Sequence, residues 1–138
     1  MKRGLLDTDM LSYFLKGRPE VVEKALQYLS LYSTLEFTVI TYYEIRRGLE
    51  WARADRKVAE FEELANISMI WDLDRVAAAE AARISATLKR QGVVIDEADI
   101  LIAGIALAHS IPVITHNVRH FSQIPGLEVE DWLSNGAS

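Results

Sequence analysis

Short apolar runs separated by longer helix-patterned segments constrain the fold of this 138-residue chain more than any other feature. The runs lie at 2–7, 37–40, 67–73, 111–115 and 127–130, and are rich in Val, Ile, Leu, Phe and Thr. Between the first four, each gap is long enough for two helices. A strand that returns after a helical crossover returns parallel to its predecessor. The order strand, two helices, strand, two helices, strand, two helices, strand, strand therefore predicts an α/β fold of three layers. Its mostly parallel sheet of four to five strands carries helices on both faces.

Boundary signals sharpen this outline. Residues 8–16 form a first helix stopped by Gly17, and Pro19 suits the opening turn of a second over 20–31. Thr41 opens a third over 41–51, and a fourth spans 55–66. Asp74 caps a long fifth helix that stops at Gly92. Asp96 and Asp99 open a nearly all-apolar sixth, ending near His109 and fit for burial on several sides. Gly104 within it predicts a close approach to a neighbouring element. Residues 1–133 form one domain, and 134–138 a loose tail. No apolar run is long enough to cross a bilayer, and the start lacks the pattern of a signal peptide. With no cysteine, thiolate zinc sites and disulfides are excluded and a reducing cytoplasm fits. The net charge of −5 argues against binding nucleic acid through a broad basic face.

In an open α/β sheet, chemistry collects at the carboxyl ends of the strands. Asp7 ends the first strand, Glu44 lies one turn into the helix after the second, Asp96 and Asp99 precede the fourth, and Asn117 follows it. Each has a structural alternative. Thr41 to Glu44 has the form of a capping box, Asp96 and Asp99 suit a helix start, and Asn117 can cap a turn. Asp7 is different, since a carboxylate closing an apolar strand has little structural use. Two carboxylates about 4 Å apart repel by roughly 4 kcal/mol at an effective dielectric of 20. A convergent set thus calls for a cation. Hard oxygen donors favour Mg²⁺ or Mn²⁺, ions suited to phosphodiester hydrolysis.

With these residues in view, the chain resembles the PIN-domain ribonucleases, in particular the VapC-type toxins of bacterial and archaeal toxin–antitoxin pairs. Leu6-Asp7-Thr8-Asp9 matches the family's opening motif, and Thr41-Tyr42-Tyr43-Glu44-Ile45 with Gly48-Leu49 the second. Asp99 to Gly104 matches the third, and Val113 to Asn117 with His120-Phe121 the fourth. The resemblance implies Mg²⁺- or Mn²⁺-dependent endonucleolytic cleavage of RNA, leaving a 3′-hydroxyl and a 5′-phosphate. It makes Asp7, Glu44 and Asp99 the catalytic, metal-binding carboxylates, with Asp96 and Asn117 as further candidate ligands. It also implies a VapB-type antitoxin as partner, seated on apolar early helices bearing Leu11, Phe14, Leu15, Leu26 and Leu29, and a toxin homodimer. Asn117 stands where Asp is common, and Asp9 where Asn is commoner.

Arg46 and Arg47 follow Glu44 closely and are candidates for gripping RNA phosphates, with one of them facing the site. Thr8 and Thr115 can position phosphate or bond the local backbone. His109, His116 and His120 lack ligand spacing and read as surface or capping residues, while Trp51, Trp71 and Trp132 read as core or interface packing. Three readings compete with the ribonuclease: a non-catalytic PIN-fold binding module, a haloacid dehalogenase-type phosphatase using Asp7 and Asp9, and a phospho-acceptor receiver domain. The last two require a late strand-end lysine, and no lysine follows Lys89.

Overall fold

The computed structural model describes residues 1–133; the tail expected at 134–138 lies outside them. Five strands and seven helices alternate as β1 (Leu5–Leu6), α1 (Thr8–Leu15), α2 (Pro19–Tyr32), β2 (Glu36–Thr38), α3 (Val39–Trp51), α4 (Asp55–Asn66) and β3 (Met69–Trp71). They continue with α5 (Arg75–Arg90), α6 (Glu97–Ala108), β4 (Val113–Ile114), α7 (Val118–Phe121) and β5 (Val129–Glu130). The sheet is wholly parallel in the order β3-β2-β1-β4-β5, with Leu5 beside Val113 and Leu6 beside both Phe37 and Ile114.

Although β1 and β4 are only two residues long, each sends one side chain to either face. Leu5 and Val113 pack under α5 and α6, with Ile84, Leu88, Ile102 and Ile105. Leu6, Phe37 and Ile114 pack under α1, α2 and α4, with Leu11, Tyr28, Phe61 and Trp132. These strand residues are fully buried, each stabilising the fold by about 1.5–3 kcal/mol. Two apolar layers on one sheet make the three-layer architecture. Helices α5 and α6 pack tightly, and a Cβ on Gly104 would stand 2.7 Å from the Ala77 carbonyl oxygen and 2.8 Å from Ala81 Cβ. The expected close approach is there.

The third helix starts earlier than the sequence pattern predicts. Val39 and Ile40 belong to α3 rather than to the second strand, because Thr38 Oγ1 accepts the Thr41 N–H and so caps the helix. Glu44 then sits in the second turn, and a capping box between Thr41 and Glu44 is excluded. The short α7 is a second difference, since four residues are too few to show a helical period.

At the amino edge of the sheet, a buried carboxylate with no signature in the sequence ties three elements together. Glu36 is 2 % exposed and accepts two bonds from Arg3, at 2.7 and 2.8 Å. It also accepts from Tyr28 Oη at 2.7 Å and Trp71 Nε1 at 3.1 Å. Burial alone would raise its pKa, but these donors and the Arg3 charge hold it below the usual carboxylate value.

Candidate active site

At the carboxyl edge of the sheet, β1 is flanked by β2 on one side and β4 on the other. This is the switch point, where connections leave in opposite directions and a crevice opens. Asp7 closes β1 there and is 3 % exposed. It has a structural task after all: Oδ1 accepts the Met10 N–H at 2.8 Å and caps α1, correcting the expectation that this carboxylate has little structural use. Its other oxygen, Oδ2, accepts from Thr115 Oγ1 at 2.5 Å, and the Thr115 oxygen in turn accepts the Asn117 N–H at 2.8 Å. Thr8 donates to Glu44 Oε1 at 2.5 Å, leaving Thr41 to donate to Thr8 at 3.1 Å. A chain of hydroxyls thus fixes Glu44, each bond polarising the next.

Asp99 lies in the first turn of α6, and Asp96 precedes it as the cap residue without making a side-chain cap bond. The pKa of Asp7 is pushed up to about 7, chiefly by burial, with added repulsion from Asp9 and Asp99. The pKa of Asp99 is pushed up to about 6, first by burial and then by repulsion from Asp96, Glu44 and Asp9. The carboxylates expected to converge therefore share one electrostatic field. Among the described residues, no three acidic or imidazole side chains are drawn tightly enough to clasp one ion. That spacing suits like charges without a counter-charge. In chemistry the set fits a hard divalent cation, being made of carboxylate oxygens fixed by hydroxyl and backbone donors.

The other sequence candidates separate clearly. Arg46 is committed to Glu62 at 2.6 Å, Glu50 at 3.0 Å and the Tyr42 hydroxyl at 3.1 Å. Arg47 is exposed, and its guanidinium stands 4.0 Å from Glu44 Oε2. Asn117 donates through Nδ2 to His120 Nδ1 at 2.8 Å and makes no cap bond to α7. His116 donates through Nδ1 to Asp131 at 3.0 Å, and His109 ends α6 against the Trp71 ring. None of the three contradicts a surface or capping role. Of the tryptophans, Trp132 is core and Trp71 half-buried, whereas Trp51 is 89 % exposed, outside the core half of the core-or-interface expectation.

Beside Glu44, a groove of about 470 Å³ runs between α1, α3 and α4, lined by Leu15, Ile45, Leu49 and Phe61 and flanked by Lys16 and Lys57. Of the apolar residues expected to face a partner, Leu15 and Leu26 are exposed. Leu11 is wholly buried in the core instead, because its turn of α1 packs on the sheet.

Residues 4–127 match the PIN domain family. A tRNA(fMet)-specific endonuclease VapC from Salmonella typhimurium is 32% identical over 133 residues, covering 96% of this chain and 99% of that protein. Ribonuclease VapC1 from Haemophilus influenzae is 29% identical over 132 residues, covering 93% of this chain and 96% of that protein. Among solved structures, DNA-bound VapBC from Salmonella typhimurium superposes with a TM-score of 0.85 at 32% identity, covering 96% of this chain and 99% of that one. VapBC-1 from nontypeable Haemophilus influenzae gives 0.82 at 29%, covering 93% and 96%. This kinship extends along nearly the whole sequence and through the fold, and it displaces the dehalogenase-type reading of Asp7 and Asp9. The chain belongs to the PIN-domain family, in its VapC branch.

Proposed function

We propose that this chain is the toxin of a toxin–antitoxin pair, a metal-dependent endoribonuclease of the cytoplasm that hydrolyses RNA to 3′-hydroxyl and 5′-phosphate ends. The observation that carries the reading is the placement of Asp7, 3 % exposed at the end of β1, at the same edge of the sheet as Glu44 and Asp99, where burial first and acidic neighbours second push both aspartates up. Such a set is an electrostatic cost to the fold and serves a cation-dependent site.

Asp7, Glu44 and Asp99 are the residues to hold the ion, with Asp96 and Asn117 as further candidates at the same edge. A bound Mg²⁺ or Mn²⁺ supplies Lewis-acid stabilisation of phosphoryl oxygens and lowers the pKa of water. The chain's own contribution is positioning. Thr115 and the Met10 N–H hold both oxygens of Asp7, and Thr8 holds Glu44, so the donors are oriented before substrate arrives. Arg47 stands beside Glu44 with its guanidinium exposed, placed to meet a backbone phosphate.

Two relatives are named tRNA(fMet)-specific endonucleases, which makes tRNA the first substrate to try. The solved neighbours are VapBC complexes, and the groove between α1, α3 and α4 supplies an apolar seat for a VapB-type antitoxin beside the acidic site. A homodimer of the toxin accompanies this reading. The test is incubation of the purified chain with tRNA and total RNA in Mg²⁺ or Mn²⁺, with EDTA and Asp7→Asn as controls and mapping of the new 5′ ends. Discrete cuts absent from both controls support the proposal. No cleavage by folded, metal-supplied, partner-free protein favours the non-catalytic binding module.

A further inference from the structure

The carboxylate of Glu44 opens a row of side chains that the acidic site does not use. Glu44, Arg47 and Trp51 follow one another at i, i+3 and i+7 on α3, with Tyr43 at the edge of the same row. Residues so spaced share one helix face. Tyr43 is 58% exposed and Trp51 89%, so both rings are open to a partner. The Arg47 guanidinium lies over the Tyr43 ring, 5.1 Å from its centre, so cation and ring are already in contact. Its ion pair among the described residues is the long one to Glu44, in contrast to Arg46 with its two carboxylates.

We propose that Tyr43, Arg47 and Trp51 form a platform for single-stranded RNA running out of the acidic site, the rings stacking on bases and the guanidinium meeting a phosphate. The inference rests on the ribonuclease reading and gives it a binding subsite. An aromatic–guanidinium–aromatic row is the composition that binds single strands without reading their sequence. It begins at a residue of the reaction centre, so a strand threaded through that centre passes over it. From Tyr43 to Trp51 the helix rises about 12 Å, room for two or three nucleotides. A second copy of the chain is the competing occupant. Two aromatic side chains of about 150–250 Å² each supply only part of the roughly 800 Å² a side that a stable interface buries.

The experiment uses the full chain and four variants: Tyr43→Ala, Trp51→Ala, Trp51→Phe and, on an exposed residue at the opposite edge of the sheet, Ile67→Ala. Binding of a 5′-labelled oligouridylate of roughly ten nucleotides is followed by the anisotropy of its label, with tryptophan quenching read alongside, in EDTA on an Asp7→Asn background, and cleavage of RNA is measured separately with the native Asp7. The expected result is quenching that Trp51→Phe abolishes. Tyr43→Ala and Trp51→Ala should each weaken binding between about fivefold and a hundredfold and raise KM more than they lower kcat, with Ile67→Ala unchanged. Wild-type cleavage and binding matched by both alanine variants overturns the platform and leaves the ribonuclease standing. Loss of self-association in sedimentation, with RNA binding intact, overturns it in favour of a contact between copies. Failure of the wild type itself to cut RNA with Mn²⁺ overturns both readings.

Discussion

Thr115 donates its hydroxyl hydrogen to Asp7 Oδ2 at 2.5 Å, joining the ends of two neighbouring strands that lie 108 residues apart in the chain. This bond opposes the upward shift that burial imposes on Asp7, by favouring the carboxylate form. Thr115→Val keeps the shape and removes the donor. The pKa of Asp7 then moves further upward, and the acid limb of the pH–rate profile shifts to higher pH. Activity at neutral pH should fall about 10- to 100-fold, the usual cost of losing a partner that orients a ligand. An unchanged profile would deny the hydroxyl this role.

A second prediction concerns stability without metal. Burial pushes Asp7 up to about 7 and Asp99 up to about 6 in the fold, above the ordinary aspartate value of 3.8, so the folded state holds their protons more tightly than the unfolded one. Stability from these groups is complete below about 4 and is lost as pH rises to about 7, Asp7 alone accounting for roughly 4 kcal/mol at most. Glu36 works in the opposite sense, its depressed pKa withdrawing stability as pH falls below the carboxylate range. The melting temperature in EDTA should therefore peak in mildly acid solution and decline towards pH 8. Asp7→Asn, which can still cap α1 through Oδ1, should raise it at pH 8 by about 3 °C for each kcal/mol recovered. A melting temperature that climbs steadily from pH 5 to pH 8 would contradict this.

Gly104→Ala tests the contact between α5 and α6. The added methyl group would meet the Ala77 carbonyl oxygen and Ala81 Cβ well inside van der Waals distance. Separating the helices should cost about 1–3 kcal/mol in urea unfolding and displace Asp99, which α6 carries in its first turn. Stability and cleavage should fall together.

Glu36→Gln separates stability from function. The amide cannot accept all of the bonds that Arg3, Tyr28 and Trp71 make to the carboxylate, and it brings a donor where only acceptors fit. A loss of about 2–3 kcal/mol is expected in denaturant unfolding. Because the network lies at the amino edge of the sheet, the rate of RNA cleavage by the folded fraction should be unaltered. A change in kcat would show the two edges to be coupled.

The parts of this molecule legible in its sequence are those governed by local pattern. The five strands, the six longer helices, Pro19 at the start of α2 and Gly104 between helices all follow from periodicity and from the sterics of single residues. The start of α3 was not legible, because two β-branched residues after Phe37 read as strand until the Thr38 cap is seen. Nor was Glu36, since nothing local distinguishes a buried glutamate whose partners come from residues 3, 28 and 71. The role of Asp7 as a cap was hidden by its position at the end of an apolar run, where its charge drew attention first. Arg46 and Arg47 were indistinguishable as adjacent basic residues until their faces of α3, and the carboxylates opposite Arg46, were in place.

The central claim is that Asp7, Glu44 and Asp99, carried by the end of β1, α3 and α6, together hold a divalent ion at the carboxyl edge of the sheet. The most direct measurement is Mn²⁺ binding at pH 8, followed by electron paramagnetic resonance, for the native chain and for Asp7→Asn, Glu44→Gln and Asp99→Asn. The account predicts saturable binding that raises the melting temperature of the native chain and is lost or greatly weakened in each variant. Mn²⁺ binding of equal strength in all four proteins, or none in the folded native chain, would contradict it.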